Sequence, residues 1–108
     1  MENSRLEKLL QFYQEDPHEP FNIYAIALEY LSQNNNTEAK KYFDLLLEKH
    51  KNYLPTYYHA ASFYTSQGNK DKAGIIYQSG ITLAQQVNNN HTLRELRNAY
   101  NTFLYEED

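Results

Sequence analysis

The chain has 108 residues, of which 41% are hydrophobic, and a formal net charge of −4. That suits one domain with a modest core and argues against electrostatic nucleic-acid binding, which needs a clustered basic face. It has no cysteine, which excludes disulfides, thiolate catalysis and cysteine-ligated metals, while eleven Tyr and five Phe supply amphipathic rings for helix seams and surfaces.

Taken in chain order, Met1 to Lys8 is charged and lacks the apolar core of a signal peptide. Leu6, Leu9, Leu10 and Tyr13, widened by Phe12, give a helical stripe over Ser4 to Glu15. Asp16-Pro17 and Pro20 stop it, and proline suits the first turn of the next helix. The second helix is expected from Phe21 to Gln33, burying Ile23, Ile26, Ala27 and Tyr30. Asn34-Asn35-Asn36 reads as a turn. Thr37 to His50 is the third helix, with Ala39, Phe43, Leu46 and Leu47 on one side.

Pro55 opens a fourth helix to about Gln67, and Gly68-Asn69 is a tight turn with a left-handed glycine. The fifth runs from Lys70 to about Val87 and carries Ala73, Ile76, Tyr77, Gly80, Ile81 and Ala84. Gly80 on that apolar face signals close approach of a neighbouring helix, whereas Gly74 has no evident reason. A second triplet, Asn88-Asn89-Asn90, ends this helix. The triplets lie 54 residues apart and read as punctuation. The sixth helix, His91 to Tyr105, shows capping-box spacing at Thr92 and Glu95 and a Leu93, Leu96, Tyr100, Phe103 stripe. Arg94, Arg97, Asn98 and Asn101 give it a polar outer face, as the last element of a stacked array requires. The Glu106-Glu107-Asp108 tail is expected to fray.

One pattern organises these elements. Ala27 recurs as Ala61, Tyr30 as Tyr64, Ala39 as Ala73 and Phe43 as Tyr77, each 34 residues later. A fixed period of this size means one structural unit stacked on its copy. The pattern resembles the tetratricopeptide repeat, with units at 20–53 and 54–87. The first helix resembles the second half of a preceding repeat (1–19), and 88–108 a capping helix and tail. The whole resembles a short bacterial protein of that family. The resemblance implies an all-α helical-repeat fold, an α–α superhelix of about six helices in a single domain.

The resemblance also implies a non-catalytic role in protein–protein contact. Its concave groove would be lined by Phe21, Tyr24, Leu28, Leu31 and Ser32 from the first unit, and by Pro55, Tyr58, Ser62, Thr65 and Ser66 from the second. Independently of the family, the second helix is apolar over much of its circumference and needs a second thing to pack against. That thing is the chain's own terminal helices, a second copy in a homo-oligomer, or another protein or peptide. The groove positions hold Tyr, Leu, Ser and Thr, which does not fit the subclass that clamps a carboxylate with Lys, Asn and Arg. His18, His50, His59 and His91 lack metal-pair spacing, and there is no phosphate-cradling loop or nucleophile elbow. No cofactor or metal is expected, no apolar run is long enough for a membrane span, and a cytoplasmic location is the default.

Overall fold

The computed structural model describes residues 4–106. Glu107 and Asp108 of the acidic tail, and Met1 to Asn3 at the start, lie outside the described residues. Six helices and no strand are found among those described: α1 (Ser4–Glu15), α2 (Pro20–Ser32), α3 (Asn36–Lys49), α4 (Pro55–Ser66), α5 (Lys70–Gln86) and α6 (Asn90–Glu106). The fold is an all-α helical repeat. The chain divides into two compact units, 1–53 and 54–108.

In the first unit α2 packs on both α1 and α3. Proline opens α2, and Glu19 caps it by accepting a hydrogen bond from the Phe21 N–H at 3.1 Å. Ile23, Ile26, Ala27, Ala39, Phe43 and Leu46 are fully buried. Half-buried Tyr30 completes the expected α2 face, and Leu47 is also only half-buried. The larger correction concerns Tyr42, which the apolar pattern does not single out and which is buried. It stacks on Tyr30 (5.8 Å between centroids) and meets Tyr13 edge-on (6.1 Å), so one aromatic layer ties three helices together. The α1 stripe is shallower than expected. Leu6 alone is buried, Leu9, Leu10 and Tyr13 are half-buried, and Phe12 is 50% exposed. An Arg5–Glu29 pair at 3.2 Å further joins α1 to α2.

In the second unit α5 packs on α4 and α6. A Cβ at Gly80 would stand 2.6 Å from the Tyr57 Cβ and 3.1 Å from a Leu96 methyl, so the glycine lets two helices close on α5 at one point. Gly74, unexplained in sequence, lies under the Phe103 ring, at ordinary contact distance for an added Cβ (3.6 Å). Tyr77, Tyr100 and Phe103 cluster at 5.4–6.1 Å, and Gln78 donates to the Tyr100 hydroxyl at 2.8 Å. Phe63 and Leu83 are buried, whereas Ile81 is half-buried. Arg94, Arg97, Asn98 and Asn101 are exposed, as the sequence pattern requires.

The turns share one design. Asn34, Gly68 and Asn88 have φ of 61°, 82° and 59°. The N–H groups of the next residues, Asn35, Asn69 and Asn89, reach back to Tyr30, Tyr64 and Ala84 carbonyls at 2.9–3.0 Å. These are Schellman bonds. The same three asparagines then accept from the Glu38, Lys72 and Thr92 N–H groups at 3.1–3.2 Å, capping the next helix. The recurring element is therefore a left-handed residue followed by asparagine, and Asn88-Asn89 does for α6 what Gly68-Asn69 does for α5. It also displaces the expected capping box. Thr92 lies inside the helix as a donor, and Glu95 pairs with His91 at 3.3 Å.

Candidate partner-recognition faces

On α2 the core residues occupy one side, and Phe21, Tyr24, Leu28 and Leu31 recur at i, i+3, i+7 and i+10 on another. Phe21 is 56% exposed, and the other three are half-buried. On α4, Tyr58 is 44% exposed, Ser62 is exposed and Thr65 is half-buried. The Thr65 hydroxyl already donates to the Ala61 carbonyl at 2.9 Å, so that position shows an outside molecule mainly its methyl group. Ser32 and Ser66 bond their own helices in the same way, to the Glu29 and Phe63 carbonyls. The two faces thus differ in kind: α2 shows rings and leucines, and α4 shows one tyrosine beside small polar groups.

Two residues that sequence reasoning missed join the α2 face. Tyr53 meets Tyr24 edge-to-face, centroids 5.7 Å apart and planes at 66°. Burial raises the Tyr24 pKa above its usual 10.0. Burial raises that of Tyr53 too, aided by Tyr24 and by the Glu19 carboxylate nearby. Tyr53 falls between helices and outside any periodic pattern. Glu19 could have been found as the residue before a helix-opening proline, where a capping side chain is favoured.

Charge is partitioned between the helices. Neither α2 nor α4 contains a lysine or arginine, whereas Lys40, Lys41, Lys49, Lys70 and Lys72 lie on α3 and α5. Lys40 pairs with Asp44 (2.9 Å) and Lys41 with Glu38 (3.8 Å), in keeping with a solvated face. The outer side of α6 holds an open polar depression of about 370 Å³ between Asn90, Leu93, Arg94, Arg97, Asn98 and Asn101, apart from every candidate residue named above. No group of three or more potential metal ligands occurs among the described residues, and no helix is long and apolar enough to cross a membrane.

The tetratricopeptide repeat profile matches residues 22–48 and 54–87, more than half of the chain. The chain belongs to the tetratricopeptide repeat family. Two structures of a tetratricopeptide repeat domain protein from Salinibacter ruber agree with it closely. The solution structure is 34% identical with a TM-score of 0.80, covering 85% of this chain and 93% of that one. The crystal structure is 32% identical with a TM-score of 0.78, covering 82% and 99%. An uncharacterised protein of Haemophilus influenzae is 34% identical over 79 residues, which are 73% of this chain and 41% of that protein. The chain therefore matches about two-fifths of that relative's length. Tetratricopeptide repeats are in general protein-interaction modules and typically non-catalytic, so family membership carries that general role and no reaction.

Proposed function

We propose that the chain captures a segment of another protein on an exposed helix face, that of α2 in the first unit or that of α4 in the second, without chemistry. The observation that carries this reading is the second apolar stripe on α2. Phe21 stands more than half exposed at its head, on a helix whose opposite side is already buried. A large exposed ring that continues into a row of half-buried apolar groups marks an interaction surface more often than a solvated one. Aromatic side chains are also the usual anchors of such surfaces, because they offer large contact area at low entropic cost. A peptide partner suits this face better than a carboxylate-bearing tail, since α2 and α4 offer no cation to clamp one.

Affinity capture tests the reading. Tyr24→Ala and Tyr58→Ala are expected to weaken retention of partners at least tenfold while far-ultraviolet circular dichroism stays unchanged. Wild-type retention by both variants would show that these faces are not the recognition surface. A second copy of the chain is the alternative occupant of the same apolar stripe. Light scattering at high concentration separates the two, because a strictly monomeric chain excludes it.

A further inference from the structure

The outer side of α6 carries more than a solvated cap needs. Arg94, Arg97, Asn98, Asn101, Leu104 and Tyr105 fall at i, i+3, i+4, i+7, i+10 and i+11, which is one face of a helix. Leu96 and Phe103, which are buried, lie on the opposite side. The outer face is graded along its length. Its N-terminal half holds both arginines, and none of the ion pairs among the described residues includes either of them. The neighbouring Glu95 is turned to His91 instead. The C-terminal end shows two large apolar groups to solvent, Tyr105 at 85% exposure and Leu104 at 46%. Glu106 follows them, and the sequence continues with Glu107 and Asp108. Cations thus stand at one end of the face, and a ring with carboxylates after it at the other. The depression of about 370 Å³ opens among the arginines and asparagines, with Leu93 as an apolar side.

Such a face is complementary to itself. Consider a two-fold axis level with the midpoint between Asn98 and Asn101, and a second α6 laid antiparallel on the first. Arg94 of each copy then meets Tyr105 of the other, and Asn98 meets Asn101. The ring enters the depression, and the guanidinium lies on its electron-rich face. The carboxamides suit each other because each both donates and accepts. Every contact is made twice, as in any isologous pairing. A parallel pairing would set arginine against arginine and acid against acid. We propose that the outer face of α6 is a self-association site, where a second copy of the chain lays its own α6 antiparallel with Arg94 against Tyr105. The pairing uses no residue of the α2 and α4 faces. One helix face is small for an interface, so the dimer is weak and forms as concentration rises.

Sedimentation equilibrium of the whole chain, from micromolar to millimolar concentration, tests this. Wild type is expected to pass from monomer to dimer. Arg94→Glu and Tyr105→Ala should each weaken the dimer by roughly tenfold or more, with circular dichroism unchanged because both positions are exposed. The decisive variant is the exchange, Arg94→Tyr together with Tyr105→Arg. It recreates both contacts across the axis and should return association to within about threefold of wild type. A chain that stays monomeric throughout overturns the proposal, as does a dimer that neither single change weakens. An exchange that fails to restore association overturns the antiparallel register. A dimer dissolved by Tyr24→Ala instead belongs to the α2 stripe, and α6 is then not the interface. If the chain is monomeric and a blocked glutamate-rich peptide shifts the α6 amide resonances, the face takes an acidic partner and the self-association reading is wrong.

Discussion

Ile23 and Leu46 hold in the first unit the places that Tyr57 and Gly80 hold in the second, 34 residues on. In one unit two mid-sized side chains are fully buried. In the other a large ring presses on a residue with no side chain. Volume has moved from the second helix of the repeat to the first, and the helices pack in both cases. Cores tolerate such exchanges when total volume is kept. The neighbouring position varies as well. Asn22 points its amide at the Phe12 and Asp16 carbonyls (3.4 Å each) and ties α1 to α2. Its counterpart Thr56 is buried with its hydroxyl unpartnered. The surface obeys the same logic: Leu28 and Leu31 give way to Ser62 and Thr65. The repeat keeps its backbone geometry and lets each unit choose its own interior and its own surface chemistry.

The strongest way to break this comparison is Gly80→Ala. The new Cβ would fall 2.6 Å from the Tyr57 Cβ, a rigid neighbour, so the variant should lose about 2–3 kcal/mol in denaturant unfolding. Adding Tyr57→Ile should restore much of that, because it recreates the division of volume found in the first unit. Failure of the second change to rescue would mean that the two pairs are not equivalent. Next in size, Asn35→Ala and Asn69→Ala should each cost about 1 kcal/mol, since both remove the same cap from the same place in the repeat. Effects differing by more than about 0.5 kcal/mol would show that the turns are not interchangeable.

Gly74→Ala sharpens the contrast by changing sign. Its Cβ would meet Phe103 at 3.6 Å, ordinary contact, so the gain in helix propensity should stabilise by about 0.5–1 kcal/mol. A loss would place Phe103 closer than described. The smallest effect belongs to His59, which stands where the first unit has Ala25. Burial holds its pKa below the usual 6.5, so the unfolded chain binds the proton more readily. Its contribution is complete above pH 6.5 and declines as the pH falls through that value towards the folded pKa. Denaturation midpoints at pH 7.5 and 5.5 should converge modestly in His59→Gln relative to wild type.

The architecture is legible in the sequence because small and aromatic anchors recur at fixed spacing, and the bounds of α1 agree to the residue. Gly80 is legible too, since a glycine on an apolar helical face has few uses other than close approach. Tyr42 is not. Its burial comes from rings on two other helices, a relation that periodicity along one helix does not encode. Phe12 misleads for the opposite reason, because the stripe fits helical spacing without saying how far round α1 the neighbour reaches. At the α6 cap two signals three residues apart compete, and the Asn88-Asn89 pair prevails because it closes α5 and opens α6 at once. The rings of the candidate site are legible in part. Tyr24 and Phe21 share a helix face, but Tyr53 and Glu19 reach it from connecting segments, where sequence carries no period.

The left-handed turns also bear on how fast the chain folds. Each joins two helices through three residues, so partners that pack in the finished structure are tethered within one short segment of chain. Closing such a short loop takes on the order of tens of nanoseconds, and chains dominated by local contacts fold in microseconds to milliseconds. A hairpin that forms α2 against α3 has no need to wait for α4 and α5 to meet. Folding can start at either hairpin, and a variant that slows one leaves the other as a second route of entry.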